Sequence, residues 1–239
     1  MKKILSIAVA SFALAAVADT YSPTIGVTQV PLTYKDSIIA VPFASLTNGN
    51  ISVTDLVCTN GLSQGDILYV FEDNTYTGWL LTGTGWVKAQ TATPTGAPGM
   101  ADGVVAPGGA IWISLQDAPS ANQTVSIYGK WVSPAATTLA PATASADTQN
   151  LVANPLQSAA TAAITGAAKG DTIIFPKDGS MERYVYNNSR SAPGTFLWRK
   201  DNVSIDPQTI PVGIGQGFWY VRAKGNTGEA SIAWTAATP

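Results

Sequence analysis

The sequence contains no histidine and a single cysteine among its 239 residues. The absence of histidine removes the usual general base, the usual zinc ligand and every Ser-His or Cys-His nucleophile arrangement. One cysteine cannot form an internal disulfide, so the fold must depend on its hydrophobic core. Cys58 lies in a short apolar run and is interpreted as a small buried strand residue, with an intermolecular bridge as the alternative.

Charged residues are also scarce, at 12% of the chain. Without the two lysines of the N-terminal leader, 11 basic residues stand against 15 acidic ones, a net charge of −4 with no basic patch, which argues against nucleic acid as a partner. No D-x-D-x-D calcium run is present, and Glu72, Glu182 and Glu229 do not show the pairing that a glycosidase requires. We therefore predict no catalytic residue, no metal and no cofactor, and keep a glycan-active enzyme as a third alternative.

Long hydrophobic runs are absent except at the N-terminus. Lys2 and Lys3 precede an apolar run from Ile4 to Val17, and Ala16-Val17-Ala18 is a cleavage site of the A-x-A kind. The run is shorter than the roughly 20 residues of a membrane-spanning helix. Residues 1–18 are therefore a predicted signal peptide. The mature chain is expected without a membrane span, in the periplasm, at the cell surface or outside the cell.

The remaining chain repeats itself once. Corresponding blocks occur in the same order with similar gaps, from a strand ending in Pro42-Phe43 or Pro155-Leu156 to closing strands near Tyr128 and Ala233. An internal duplication explains this order better than chance does. The repeat landmarks between these ends are Gly65, Asp66, Trp86 and Trp112 in the first copy and Gly170, Asp171, Trp198 and Trp219 in the second.

Short runs of Val, Ile, Tyr, Trp and Thr, punctuated by Gly, Asn, Asp and Pro, predict strand after strand. Turn signals about 8–12 residues apart favour an all-β fold of two tandem small β-sandwich or β-barrel domains. The alanine-rich stretch from Leu156 to Ala168 is also compatible with a short helix. The predicted boundaries are an N-terminal arm at 19–35, a first domain at 36–132, an Ala/Thr/Pro linker at 133–147 and a second domain at 148–239. The arm is either free or a strand that adds to a neighbour.

Three short motifs carry a resemblance. They are Asn154-Pro155, Gly170-Asp171 and Gly215-Gln216-Gly217-Phe218-Trp219, and the first copy matches them more loosely. The chain thus resembles uncharacterised secreted duplicated β-proteins of environmental bacteria. The resemblance implies a secreted β-fold and carries no known activity.

Asp66 and Asp171 follow glycine at equivalent positions of the two copies. A residue type that recurs in both copies is expected to serve the shared fold, so we interpret both as turn aspartates that accept backbone hydrogen bonds. A calcium ligand is the alternative interpretation.

Seven tryptophans fall in predicted strands. Trp86, Trp112, Trp198 and Trp219 recur at repeat-equivalent positions, which favours core packing. The three tryptophans that do not recur at equivalent positions could lie at the surface and stack on sugar rings. These candidate glycan contacts are Trp79, Trp131 and Trp234.

Charge is divided unevenly between the copies. Residues 19–147 carry a net −6 and residues 148–239 a net +2, and every arginine lies in the second copy. Drift after duplication is one explanation; head-to-tail contact between copies of the chain, leading to a filament or array, is the other. We therefore predict an exported structural or cell-surface protein with itself or other surface components as partners, and a carbohydrate-binding module as the alternative. The candidate assembly contacts are Arg183, Arg190, Arg199 and Arg222.

Overall fold

The computed structural model describes residues 25–45, 51–53, 57–59, 61–72, 75–89, 104–105, 109–131, 137–156, 159–177, 180–188, 194–200, 203–205 and 209–236. The predicted signal peptide and Arg190 lie outside these residues. The described part of the chain is all-β and antiparallel, as the strand-forming composition predicts. Its larger sheets number four and are arranged in a propeller-like ring.

Residues 25–131 form the first half of the molecule. Its strands are β1 (Ile25–Pro31), β2 (Asp36–Val41), β3 (Phe43–Ala44), β4 (Ile51–Ser52), β5 (Val57–Thr59), β6 (Ile67–Glu72), β7 (Thr75–Thr82), β8 (Gly85–Lys88), β9 (Val104–Val105), β10 (Gly109–Ser114) and β11 (Thr124–Trp131).

Residues 137–236 form the second half. Its strands are β12 (Thr137–Leu139), β13 (Thr148–Ala153), β14 (Ala160–Thr165), β15 (Thr172–Lys177), β16 (Ser180–Asn188), β17 (Phe196–Lys200), β18 (Val203–Ile205), β19 (Thr209–Val212), β20 (Gly217–Arg222) and β21 (Ala230–Ala236).

The two halves have closely similar strand orders. One sheet runs β2-β10-β6-β7-β8 in the first half, and its counterpart runs β13-β20-β15-β16-β17-β18 in the second. The other sheet has β11 between β1 and β3, with β5 also on β11, and its counterpart is β12-β21-β14-β19. Strands β4 and β9 form a separate two-stranded ladder. The sequence blocks that repeat along the chain therefore correspond to strands that pair in a similar order in both halves.

Each half has its own hydrophobic core. One cluster of buried residues, centred on Leu68, Ile111 and Ile127, comes entirely from the first half. A second cluster, with Ile173, Phe218 and others, comes entirely from the second half. Along β13 and β14 buried and less buried side chains alternate, which is the period-2 pattern of a strand with one face on a core.

Three predictions about the segments between these sheets need correction. The alanine-rich stretch from Leu156 to Ala168 contains strand β14 and no helix within its described residues, because β19 and β21 pair with it on both sides. The predicted linker contains β12, and Leu139 and Ala142 are buried in the second half. The predicted N-terminal arm is not free in its described residues: it contains β1, the strand alternative, which pairs along its whole length with β11 of its own half.

Candidate functional site

The repeated Gly-Asp turns have the same backbone hydrogen bonds in both halves. The Asp66 carboxylate accepts hydrogen bonds from the amides of Ser63, at 2.7 Å, and Gln116, at 2.8 Å. The Asp171 carboxylate accepts equivalent bonds from Ala168, at 2.9 Å, and from the amide of residue 223, at 3.0 Å. Both aspartates therefore connect their turn to the end of a neighbouring strand, and the described residues contain no group of three or more acidic or cysteine side chains placed to hold a metal.

The backbone conformation of both turns requires a glycine before the aspartate. Gly65 has φ of 102° and Gly170 has φ of 93°. These left-handed values are strained for residues with a side chain, so glycine is the residue that fits both turns.

In the second half the aspartate also holds three side chains. Asp171 accepts hydrogen bonds from Tyr220 Oη at 2.8 Å, Arg222 Nη1 at 2.7 Å and Asn226 Nδ2 at 2.7 Å. Arg222 is 1% exposed, and its ion pair lies inside the second half. Burial first, and then the negative charge of Asp171, raise the pKa of Tyr220 far above its ordinary value.

The predicted assembly arginines therefore differ in their surroundings. Arg222 is not available at the surface because it is buried against Asp171, which corrects its predicted role. Arg183 is exposed, Arg199 is partly buried with its own partners, and Arg190 lies outside the described residues.

Two of the three predicted glycan-stacking tryptophans, Trp79 and Trp234, are not exposed platforms. Trp79 is 1% exposed, so its ring belongs to the core of the first half, and its predicted surface role is corrected. Trp234 is partly buried and donates a hydrogen bond from Nε1 to Thr137 Oγ1 at 3.2 Å. The side chain of Trp131 lies outside the described part of the structure.

Of the tryptophans at repeat landmarks, Trp86, Trp198 and Trp219 are buried and Trp112 is partly buried. Trp86 and Trp198 belong to the separate cores of the two halves. Trp112 and Trp219 instead meet each other across the boundary between the halves, edge to face, with ring centroids 5.3 Å apart.

This boundary is built from the same face of both halves. Strands β2 and β10 of the first half pack on β13, β20 and β15 of the second, and the register makes Ile38 equivalent to Leu151 and Ala110 equivalent to Gly217. The side chains of Ile38, Ala110 and Leu151, with Trp112 and Trp219, belong to a third buried cluster shared by both halves. The interface is thus close to two-fold symmetric, as expected when one surface patch packs on its own copy.

An aromatic cavity of about 260 Å³ opens at this interface. We call it the aromatic cleft. Its aromatic wall is Trp112, Trp219 and Tyr76, and Tyr69 stacks on Trp112 from behind with centroids 4.5 Å apart. Its other principal lining residues are Gln149, Ile174, Met181 and Arg183.

Hydrogen bonds fix the aromatic wall of the cleft. Tyr76 Oη donates to Gln149 Oε1 at 3.3 Å, and Trp112 Nε1 donates to Asp36 Oδ1 at 3.1 Å. Burial raises the pKa of Tyr76, and a side-chain hydrogen bond with Trp219 partly offsets that effect. The wall is therefore preorganised by contacts from both halves.

A larger cavity of about 460 Å³ lies at another part of the same boundary. It is lined by β1, by the start of β2 and by residues 213–217, and its main side chains are Tyr34, Ile38 and Ile214. Its described lining residues include neither a cluster of aromatic rings nor a charged side chain, so they offer little chemistry for a specific ligand.

Five residues that line the cleft were not identified from the sequence: Tyr76, Gln149, Ile174, Met181 and Val221. The available signal was the pair of equivalent tryptophans, Trp112 and Trp219, which a two-fold packing of the halves brings together. Comparison of the chain with protein-family models, curated proteins and solved structures finds no match. No helix in the described residues is long and apolar enough to cross a membrane.

Proposed function

We propose that the chain is an exported, non-enzymatic binding protein that holds a carbohydrate in the aromatic cleft. The observation that carries the proposal is the wall of Tyr76, Trp112 and Trp219, with Gln149 and Arg183 beside it, at the junction of the two halves. Ligand sites in proteins are typically concave, mostly apolar and aromatic, with a few polar groups that fix orientation.

A sugar ring matches this chemistry because it has apolar C–H faces and a polar edge of hydroxyl groups. Aromatic rings cover the apolar faces, and amide or guanidinium groups meet the hydroxyl edge. The cavity volume of about 260 Å³ is slightly below the range of about 300–1,000 Å³ for small-molecule sites, which suits one or two sugar residues of a longer chain.

A quaternary ammonium ligand, which also binds between aromatic rings, fits less well. The centroids of Trp112 and Tyr76 are 5.7 Å apart, and those of Trp112 and Trp219 are 5.3 Å apart, so the rings contact one another and leave no space for a cation between them. Arg183 would also repel a cation at the mouth of the cleft.

Binding can be tested by affinity electrophoresis and calorimetry of the purified protein with soluble polysaccharides. Replacing Tyr76 by Ala removes an aromatic wall residue and is expected to weaken binding roughly 30-fold, the loss of about 2 kcal/mol that is common for a central aromatic contact. Trp234→Ala is the matched control, because Trp234 is partly buried in the second half and does not line the cleft.

A protein that binds no polysaccharide, or one in which both variants bind as well as the unchanged chain, would contradict the proposal. Thermal unfolding of each variant, followed by circular dichroism, shows whether a loss of binding reflects loss of the fold. This separation matters because both side chains also make aromatic contacts.

For the fold, we propose two tandem β-sandwiches that arose by duplication. Separate hydrophobic cores, the repeated strand order and the matching Gly-Asp turns support this proposal. Two sheets that enclose one core are the defining feature of a sandwich.

Self-assembly is the second candidate function. Strand β1 pairs on one side only, with β11, among the described residues, and Val27 on it is 60% exposed opposite Tyr128 at 38%. A free strand edge beside exposed apolar side chains is a surface that a second copy of the chain can extend.

Head-to-tail assembly would also use the charge difference between the acidic first copy and the basic second copy. Electron microscopy and sedimentation of the mature protein should then show filaments or arrays that weaken between low and high salt. A protein that stays monomeric at high concentration and low salt would contradict this second function.

A further inference from the structure

The two-fold symmetry of the aromatic cleft is broken at its polar positions. The shared positions carry tryptophan in both halves, Trp112 and Trp219. The strand registers place Arg183 opposite Ile174 and Gly78 opposite Tyr69, so Arg183 is the equivalent of a glycine. The repeated scaffold therefore does not require an arginine at this position.

The neighbouring positions are asymmetric as well. The same registers make Met181 the equivalent of Tyr76 and Gln149 the equivalent of Asp36. The carboxylate of Asp36 already accepts a hydrogen bond from Trp112 Nε1, while a neutral amide, Gln149, lines the cavity itself. The side of the cleft formed by the second half therefore contains a positive charge and a neutral hydrogen-bonding group.

The charge of Arg183 is not neutralised within the described residues. No carboxylate among them forms an ion pair with Arg183, and the adjacent Glu182 pairs with Lys200 instead. Successive residues of a strand point to opposite faces of the sheet, so Glu182 and Arg183 lie on different faces. An exposed guanidinium beside an aromatic wall is a binding group for a planar anion such as a carboxylate.

From this geometry we infer that the cleft selects an acidic sugar, a uronic acid unit of a polysaccharide, whose carboxylate binds Arg183 while its ring packs on the aromatic wall. The inference rests on the proposed carbohydrate-binding function. The chain is acidic overall, so an acidic polysaccharide needs a local positive group to approach it. Arg183 supplies that group at the cavity.

The test uses polygalacturonate and its methyl ester, which have the same sugar ring with and without the charge, together with a neutral glucan. The unchanged protein is expected to bind the free acid about tenfold more tightly than the ester, the difference typical of one charge-assisted hydrogen-bonding contact. Arg183→Gln should remove this preference, because it should weaken binding of the free acid about tenfold more than it weakens binding of the ester. Arg183→Lys should keep part of the preference for the free acid, because lysine keeps the positive charge but loses the bidentate hydrogen bonding of the guanidinium group.

Lys224→Gln is the matched control, because it removes one positive charge from an exposed position of the second half outside the cleft. It should keep the preference for the free acid. Equal binding of the acid and the ester, or an equal effect of the Lys224 and Arg183 changes, would overturn the selection by Arg183 and leave carbohydrate binding standing. Failure to bind any of the three polymers would instead overturn the proposed function.

Discussion

The two Gly-Asp turns have the same backbone and different surroundings. In both halves the aspartate accepts two backbone amides at equivalent positions. In the second half Tyr220 and Arg222 cover the carboxylate, whereas the equivalent residues of the first half are Ile113 and Leu115, which are buried and apolar. The turn therefore needs the aspartate and its two amides, and the buried ion pair is an addition in one half.

The difference shows what the arginine adds. Arg222 donates not only to Asp171 but also to the carbonyl oxygens of Gly166 at 2.8 Å and Gly228 at 2.9 Å. It therefore connects two turns. In the first half the equivalent residue, Leu115, is apolar and cannot make these hydrogen bonds. A buried ion pair gives little net stability over apolar residues of similar size, but removing one partner alone is costly.

The largest expected effect comes from breaking the pair on one side. Asp171→Asn leaves the Arg222 charge buried without its counter-ion, and we expect the free energy of unfolding to fall by about 3–5 kcal/mol. Asp66→Asn removes no counter-ion and is expected to cost about 1–3 kcal/mol. Denaturant unfolding of both variants measures the difference, and equal losses would show that the ion pair is not what distinguishes the halves.

A second comparison concerns the packing of the halves on each other. Gly217 and its equivalent Ala110 lie on the shared interface. A Cβ atom at Gly217 would collide with Ile38 Cγ2 of the first half, and would lie 2.6 Å from Val152 O and 2.8 Å from Ala153 Cβ within the second. Gly217→Ala should therefore cost about 1–3 kcal/mol through overpacking. Ala110→Gly, which opens the same position in the other half, should cost about 1 kcal/mol or less. Unfolding by denaturant tests both, and a neutral Gly217→Ala would argue against a close interface.

A smaller effect is expected when the second half is given the residues of the first. The double variant Tyr220→Ile with Arg222→Leu removes the tyrosine and the guanidinium together and leaves Asp171 with its two amides and Asn226. We expect a loss of about 1–2 kcal/mol, less than for Asp171→Asn, because the Asp171 carboxylate keeps three hydrogen-bond donors, whereas Asp66 has two backbone amides in the apolar surroundings of the first half. A loss as large as that of Asp171→Asn would mean that the two turns are not interchangeable.

The smallest effect is a difference in alkaline stability. Tyr220 has a raised pKa in the folded protein, so above pH about 10 the unfolded chain loses this proton while the folded chain keeps it. Stability from this group is therefore complete below pH about 10 and is lost as the pH rises further. Tyr220→Phe should cost about 0.5–1.5 kcal/mol at neutral pH and lose less stability than the unchanged chain above pH 10. Parallel slopes of unfolding free energy against pH would contradict this.

The sequence predicted much of the fold because the repeat could be read without coordinates. The Gly-Asp and Trp landmarks fall on equivalent strands and turns. The alanine-rich segment was ambiguous because alanine favours helices, and only the pairing of β14 with β19 and β21 makes it a strand. The sequence did not clearly reveal the strands within the predicted linker and arm. Short runs with few apolar residues give only a weak period-2 pattern, as at Thr137–Leu139.

The site was harder to predict than the fold. The aromatic cleft lies between the halves, and sequence alone does not show which faces of two domains pack together. Arg222 and Arg183 are alike as sequence residues, yet one lies against Asp171 inside the second half and the other lines the cleft. The surroundings of the two arginines depend on the face of the sheet to which each side chain points from β20 or β16, and on the residues that cover that face.

The pairing of the outermost strands of each half determines how the chain would respond to mechanical tension. Ile25 lies opposite Lys130 and Thr137 lies opposite Ile232, so the first and last strands of each half begin and end at the same edge. A pull on the chain ends would load these ladders one residue pair at a time, in the manner of a zipper and not of a sheared sheet. Each half should yield at low force in a single-molecule pulling experiment.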